Sequence, residues 1–262
     1  MAGFAQLLKE NRNYRYTWLG QVVSEIGDHF NNIAVFSLAV QYAGGGMVVT
    51  GVLLSRAIPA ILAGPLAGVL LDRMDRKKIM IASDLIRGLV ALSFITAITS
   101  PSAKMLYLLG AALMLASPFF TSGRASILPT ITTREQLHTA NSLTQTTQWT
   151  TLTIGTMAGG MSVSSFGYQW AFFINAMSFF VSAWCISQLR VPGGSFAAKR
   201  KALTENEIAR PWHEYVEGLR YMRSVPLLTG IAMLAVGWAT GGGAAQILFS
   251  LFGEQVFHRA GR

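Results

Sequence analysis

Long apolar segments separated by polar connections run along most of the chain. Each segment has roughly 20 residues or more, which is enough for a helix to cross ~30 Å of hydrocarbon. Six segments follow one another closely, and a seventh comes after a longer polar stretch. The pattern predicts an all-α membrane protein with spans near residues 16–42, 48–71, 79–99, 104–128, 140–163, 169–189 and 226–252.

The composition agrees with a membrane protein. The 262 residues are 52% hydrophobic and 13% charged, with a mean hydropathy of +0.41, whereas a soluble domain carries about 25% charged residues. The pI near 10.1 could indicate nucleic-acid binding. Basic residues that mark the cytoplasmic side of a membrane protein explain it better, so we expect no nucleic-acid partner. Cys185 is the only cysteine, which excludes an intrachain disulfide.

Basic residues cluster in alternate connections, which places them on one side of the membrane. The positive-inside rule makes that side the cytoplasm, so we predict a multi-pass protein of the cell (inner) membrane with a cytoplasmic N-terminus. The polar start and long first apolar run favour an uncleaved first span over a signal peptide. The basic residues on the predicted inner side are Lys9, Arg12, Arg15, Arg73, Arg76, Lys77, Lys78, Arg134, Arg190, Lys199, Arg200, Lys201, Arg210, Arg220 and Arg223, against Lys104 on the other.

Residues 191–225 form the one clear linker, because "VPGGSFAAKRKA" combines Pro, Gly and a basic run. From Pro211, a suitable first helical position, apolar side chains recur every three to four residues. This spacing predicts an amphipathic helix on the inner leaflet, and a solvated helix without membrane contact fits the same pattern. The chain therefore divides into a six-span bundle (1–190), the linker, and a region with the seventh span (226–262).

The connection between spans two and three carries the most specific motif, in the stretch "GPLAGVLLDRMDRKKIM". A positive-inside hairpin alone explains its basic residues, but it does not explain an aspartate at the inner end of an apolar helix. The stretch resembles the loop signature of the major facilitator superfamily, G-x-L-a-D-R-x-G-R-K. Asp75 stands where that family usually has glycine. The matching residues are Gly68, Leu70, Asp72, Arg73, Arg76 and Lys77.

The resemblance covers nearly the whole chain and is strongest to the macrolide-efflux and enterobactin-exporter branch. Other pieces similar to that branch are "YRYTWLGQVVSEIGD", "SDLIRG", "GRASILPTI" and "HTANSL". The resemblance implies two six-span halves with substrate between them. The present chain would then hold the first half, the linker and the start of an incomplete second half. It also implies a gating loop that latches the halves together, formed here by Gly64, Gly68, Asp72, Arg73, Arg76 and Lys77.

A glycine motif in span five resembles a second signature of the family, which reads G-P-x-x-G-G in its exporters. Gly155, Gly159 and Gly160 match it, and Thr156 replaces the proline. Tight helix packing through a G-x-x-x-G face is the alternative explanation of these glycines, as it is for the pair Gly64 and Gly68.

Ionisable residues inside the predicted spans cost several kcal/mol each unless they face water or a partner. At ~1.5 Å of helix rise per residue, Asp28 and Arg56 lie at similar depths and could pair across spans one and two. The same count groups Asp84, Arg87 and Arg124 in a second cluster, which could be structural or functional. By resemblance, Arg124 matches an arginine that exporters link to proton transfer.

Polar side chains lie on one face of span one, in "SEIGDHFNN". The resemblance implies that span one lines a central cavity, which favours a cavity-facing site over purely structural ion pairs. Burial disfavours the charged form of a carboxylate, so such a group can hold a proton at neutral pH. We predict Asp28 as the first candidate for binding a proton or a cationic substrate, and Glu25 as the second. Asn32, Arg56 and Arg124 complete the predicted site.

Other chemistry finds no support in the sequence. His29, His138, His213 and His258 lack metal-ligand spacing, and no nucleotide-binding loop or nucleophile–base pattern is present. We therefore expect no enzyme, cofactor or metal. We predict a proton-coupled secondary transporter, an exporter of drug-like or siderophore-like small molecules, with protons and the lipid bilayer as its other partners. The alternatives are a truncated fragment that does not transport, a half-carrier that needs a second chain, and, more weakly, an importer.

Overall fold

The computed structural model describes residues 3–41, 45–99, 102–190, 196 and 211–257, and this part of the chain is helical, without a β-strand. The prediction of an all-α fold is confirmed, and each predicted span falls within one helix to within two residues. The helices are α1 (Phe4–Glu10), α2 (Arg12–Gln41), α3 (Gly45–Arg73), α4 (Arg76–Thr99), α5 (Ala103–Ile131), α6 (Arg134–Phe166), α7 (Tyr168–Ser187), α8 (Pro211–Ser224) and α9 (Pro226–Phe257).

Four helices in the described part are both long and apolar enough to cross a bilayer, namely α3, α4, α5 and α7. Helices α2 and α6 are as long but carry many polar side chains, and the apolar part of α9 that the structure describes is the shorter Pro226–Gly242. Polar helices of this length are stable in a membrane when their polar sides face each other or water. The two polar helices are therefore the first place to look for a site.

Helix α2 is central to the packing. It lies against α6 on one side and α7 on another, while α3 packs on α5, and α4 packs on both α5 and α7. Small residues allow the close contact between α2 and α7, since a Cβ on Gly27 would lie 2.1 Å from Ser178 Oγ. Gly20, two turns earlier, faces Ser182 in the same way.

Buried apolar side chains fill both ends of the bundle. At one end Phe94 of α4 stacks on Phe172 of α7, with ring centroids 5.2 Å apart. We call the opposite end, where α2, α4 and α6 begin, the basic end, because the basic residues of the connections between α1 and α7, other than Lys104, lie there. A second buried cluster closes that end and includes Leu7, Tyr14, Met80, Leu189 and Phe196.

Helix α1 is an element that the sequence did not predict. Leu7 is fully buried in the cluster at the basic end, although the first residues are mostly polar. The signal is faint because a single buried side chain in a seven-residue helix gives no periodicity. Helix α9 lies beside α2 and α3, and its described apolar side chains, such as Leu234 and Trp238, are mostly exposed.

The helix connections have clear local causes. Thr133 begins α6 with a capping box, in which its side chain accepts from Gln136 N and the Gln136 side chain accepts from Thr133 N. Gly167 joins α6 to α7 with φ of 85°, a backbone conformation that glycine adopts without strain. These two features fix the start of the polar helix α6 and its tight turn into α7.

Candidate functional site

Glu25 is the centre of a polar network that joins α2, α5 and α6. Arg124 Nη1 lies 3.3 Å from Glu25 Oε1, and the Thr151 hydroxyl donates a hydrogen bond of 2.8 Å to Glu25 Oε2. Gln21, one turn before on α2, donates from Nε2 to Glu25 Oε1 at 2.9 Å. The Glu25 and Arg124 side chains are 18% and 13% exposed, so the ion pair is partly open to its surroundings.

Further polar contacts extend this network along the α2–α6 interface. Gln21 Nε2 also donates to Thr144 O, Trp18 Nε1 donates to Thr147 Oγ1, and Tyr14 OH donates to Ala140 O. The paired residues are 123 to 129 positions apart, so α2 and α6 run parallel in a constant register. Sequence reasoning missed Gln21 and Thr151, although polar side chains at helical spacing on both segments were a usable signal.

A second ion pair lies within α4. Arg87 Nη2 contacts Asp84 Oδ1, and the Arg87 guanidinium lies 4.6 Å from the ring centre of Phe120 and 4.3 Å from that of Phe179. The Asp84 and Arg87 side chains are 0% and 3% exposed. In the described structure Asp84 Oδ2 and Arg87 Nε have no hydrogen-bond partner. This pair is sealed between aromatic rings.

Arg124 makes its ion pair with Glu25 of the predicted site and not with Asp84 of the second predicted cluster, although Arg87 remains within electrostatic range of it. Asp84 and Arg87 pair with each other. The depth count was the cause of the error, because helix rise gives the position along an axis but not the direction in which a side chain points. Each of the two cations pairs with a separate carboxylate.

The predicted ion pair between Asp28 and Arg56 is also wrong at the level of direct contact. The described part of the chain contains three ion pairs within 4.0 Å, and this is not one of them. Arg56 instead lies 6.0 Å from the ring centre of Phe36 and packs its side chain on Gly110. Asp28 remains within electrostatic range of Arg87 and Arg56. Asn32, one turn further on, has a buried Oδ1 without a hydrogen-bond partner among the described residues.

The predicted gating loop divides into two kinds of residue. Arg76 Nη1 donates to Ser126 O of α5 at 2.9 Å, and Lys77 Nζ donates to Ser187 O at 2.7 Å and Leu189 O at 2.9 Å. These two side chains hold the loop to its own bundle. Asp72 lies 3.9 Å from Arg76, yet its side chain is 76% exposed, and Arg73 is exposed beside it.

The two glycine motifs differ in how their positions pack. A Cβ on Gly155 would lie 2.9 Å from His29 Cβ, and one on Gly159 would lie 3.2 Å from Phe30 Cα, so these two glycines let α6 approach α2. Gly160 has no described atom within 4 Å of such a Cβ, and the same holds for Gly64 and Gly68 on α3. Close helix packing therefore explains Gly155 and Gly159 but not the other three.

The chain is similar to several bacterial transporters. It is 30% identical over 218 residues to an uncharacterized MFS-type transporter, YfiS, of Bacillus subtilis (strain 168), which covers 82% of this chain and 51% of that protein. It is 26% identical over 216 residues to the putative bacilysin exporter BacE of Bacillus subtilis, with 81% and 51% covered. To the enterobactin exporter EntS of Salmonella typhi it is 27% identical over 265 residues, with 93% and 57% covered.

The fold is similar to that of a solved transporter. The crystal structure of an auto-inhibited POT family peptide transporter superposes with a TM-score of 0.56 at 16% identity, covering 92% of this chain and 54% of that one. The chain spans about half the length of the curated relatives it matches. The family model of the Major Facilitator Superfamily matches residues 17–260. On this match, the chain belongs to the Major Facilitator Superfamily.

Proposed function

We propose that this chain is the N-terminal portion of a proton-coupled exporter that works by alternating access. In this proposal α2 to α7 are six membrane spans (1–190), residues 191–225 are a cytoplasmic linker, and residues 226–262 begin the second half with a seventh span. The basic end of the bundle and the N-terminus face the cytoplasm, as the positive-inside rule requires. The protein would be multi-pass in the cell membrane.

The observation that carries the proposal is the ion pair between Glu25 and Arg124. Ionisable side chains inside membrane helices are candidates for binding ions or substrates or for relaying protons, above all where they face a cavity. This pair joins α2 to α5, Thr151 links it to α6, and it is partly exposed. A proton that binds Glu25 neutralises it and removes the counter-charge of Arg124, which can then attract an anionic group or be repelled by a cationic one. Asp28, on the same helix one turn away, is a second carboxylate for this step.

Substrate chemistry follows from the neighbouring surface. Gln145, Gln148 and Trp149 are exposed on α6, and an aromatic ring among amides beside a carboxylate suits amphipathic or cationic compounds. The names of two relatives, a putative bacilysin exporter and an enterobactin exporter, support efflux as the direction of transport. We therefore propose drug-like or siderophore-like small molecules as the substrate class.

The gating loop supports the same mechanism. Asp72 and Arg73 are the exposed members of the loop, and Gly64 and Gly68 leave an open strip on α3. We infer that these residues meet the second half of the carrier when the cytoplasmic side closes. Arg76 and Lys77 position the loop from within the first half. Gly160 on α6 would face the second half or the substrate in the same way.

Proton flux tests the proposal. The gene is first read past the codon for Arg262, and the complete carrier, or this chain if a stop codon follows, is placed in inverted membrane vesicles. Addition of ethidium, a cationic amphipathic dye, to vesicles with an acidic lumen is expected to release protons. Glu25→Gln should reduce this release at least about tenfold, because the amide cannot carry the proton. The matched control is Glu135→Gln, an exposed carboxylate in the first turn of α6.

Two outcomes would overturn the proposal. Dye-dependent proton release that survives Glu25→Gln at equal expression removes the proton role from Glu25, and survival in Asp28→Asn as well removes it from this face of α2. Absence of dye-dependent and proton-dependent transport in the complete carrier, with folded protein present, would favour a fragment or half-carrier without this activity.

A further inference from the structure

Asp75 makes bonds in two directions from the turn between α3 and α4. Its Oδ1 accepts hydrogen bonds from Lys77 N at 2.9 Å and Lys78 N at 3.2 Å, which caps the start of α4. Its Oδ2 accepts from Phe196 N at 3.1 Å, across 121 positions of the chain. A glycine at this position could make neither contact, because both use the carboxylate.

Phe196 is bound by its side chain as well as by its backbone. Its side chain is 5% exposed and belongs to the buried cluster at the basic end, with Leu7, Met80 and Leu189 among its members. A buried phenylalanine removes a large apolar surface from water, so this contact favours the docked position of Phe196 strongly.

The chain that leads from α7 towards Phe196 is held at the same end of the bundle. Asn13 Nδ2 donates to Arg190 O at 2.6 Å, and Arg190 N donates back to Asn13 Oδ1 at 3.0 Å. Lys77 Nζ bonds the carbonyls of Ser187 and Leu189. Asn13 of α2, Asp75 of the α3–α4 connection and Lys77 in the first turn of α4 therefore each hold this chain before or at Phe196.

We propose that the turn at Asp75 and the cluster at the basic end form a docking site for the segment after α7, with Phe196 as its anchor and Asp75 as its positioning residue. The occupant is part of this chain, and the site does not depend on transport activity. Its consequence is mechanical. Because Phe196 is held, the distance from the bundle to Pro211 is limited by the length of residues 197–210, which is at most roughly 45–50 Å when fully extended.

The simpler explanation is that Asp75 only caps α4 and that Phe196 lies nearby without being held. The two explanations predict different results when Asp75 is replaced by a capping residue that has a single side-chain oxygen. Serine caps helices well, but its hydroxyl cannot bond both the start of α4 and Phe196 N. Asp75→Ser should therefore keep α4 intact and weaken only the anchor.

Limited proteolysis tests the site on the full chain in inverted membrane vesicles. Lys199, Arg200 and Lys201 are trypsin sites shortly after Phe196, and cleavage there is identified by mass spectrometry. Cleavage follows the population of the undocked segment. We expect Phe196→Ala to speed it about tenfold and Asp75→Ser severalfold, with thermal unfolding of Asp75→Ser unchanged. Phe196→Leu should restore most of the protection.

The control variants are Phe166→Ala, an exposed phenylalanine at the far end of α6, and Asp72→Asn, an exposed aspartate three residues before Asp75.

Cleavage of Phe196→Ala at the wild-type rate would overturn the docking site. If Phe196 is not docked in the wild type, removal of its ring cannot make the segment more accessible to trypsin. Faster cleavage in Phe196→Ala together with a wild-type rate in Asp75→Ser would keep the apolar contact and refute the role of Asp75. Equal acceleration in both controls would show that the assay reports general loosening and would refute the site.

Discussion

Two ion pairs in the bundle have similar chemistry and opposite surroundings. Glu25 and Arg124 come from different helices, accept and donate further hydrogen bonds, and are partly exposed. Asp84 and Arg87 are one turn apart on a single helix, have unpaired atoms among the described residues, and are sealed by Phe120 and Phe179. The Glu25–Arg124 pair is partly accessible at the surface of the described structure, whereas the Asp84–Arg87 pair is buried within it.

The comparison teaches that a charge inside a membrane helix is not by itself evidence of a transport site. A buried pair whose partners satisfy only each other contributes to packing, and removal of one partner leaves a buried charge without compensation. A pair that joins helices and remains partly exposed can change partners at a lower cost. The exposure of the pair and the number of helices that it joins distinguish a candidate binding site from a packing contact. Neither property can be read from the sequence positions of the ionisable residues.

The largest expected effect comes from breaking the sealed pair. Arg87→Ala leaves the Asp84 carboxylate buried without its cation and empties the space between two rings, so we expect the free energy of unfolding to fall by about 3–5 kcal/mol. The measurement is the thermal or denaturant unfolding of the purified chain in detergent. Glu25→Gln should change the same quantity by no more than about 1–2 kcal/mol, because Arg124 is partly exposed.

A double substitution separates charge from packing in the sealed pair. Asp84→Leu combined with Arg87→Met removes both charges and keeps apolar volume, so it should recover most of the stability lost in Arg87→Ala. If the double variant is as unstable as Arg87→Ala, the pair has a role beyond compensating its own charges, and the contrast with Glu25 and Arg124 fails.

A smaller effect is expected from one wall of the sealed pair. Phe179→Leu removes an aromatic face from Arg87 and keeps an apolar side chain, so it should lower the free energy of unfolding by about 2 kcal/mol. Phe173→Leu, on the same helix but exposed, is the matched control and should cost about 0.5 kcal/mol or less. Equal losses in the two variants would show that ring stacking on Arg87 contributes nothing measurable.

The fold was predictable to a large extent because it depends on apolar length and on the spacing of polar connections. Segments of the predicted lengths became helices α2 to α7 and α9 with small shifts at their ends. Helix α1 was not predicted, because Leu7 is its only buried side chain. The loop motif was predictable as a unit, but its division into the exposed Asp72 and the bundle-bound Arg76 and Lys77 depends on contacts with α5 and α7.

The site was predictable in its residues but not in its pairing. Glu25 and Arg124 were both chosen for the site from the sequence, but their ion pair was not predicted, because the depth count grouped Arg124 with Asp84. Depth along a helix follows from counting residues, whereas the rotation of each helix depends on how all its neighbours pack. That rotation turns Glu25 towards Arg124 and Thr151, and it turns Arg56 towards Phe36 and Gly110.

The smallest expected effect concerns a single hydrogen bond at the accessible pair. Thr151→Val removes the donor to Glu25 Oε2 with little change of shape, and we expect a loss of about 1 kcal/mol in unfolding free energy. Thr150→Val is the matched control, since the exposed Thr150 hydroxyl donates to the backbone of its own helix but not to Glu25.

A double-mutant cycle of Thr151→Val with Glu25→Gln then isolates the coupling between the two side chains. A coupling of about 1 kcal/mol would mean that the protein, and not water, satisfies the Glu25 carboxylate in the resting state. A coupling near zero would mean that water replaces the hydroxyl at once, because the site is open. That second outcome would sharpen the contrast with the sealed pair, whose side chains are 0% and 3% exposed, and it would limit the role of Thr151 to orienting Glu25 in the proposed transport cycle.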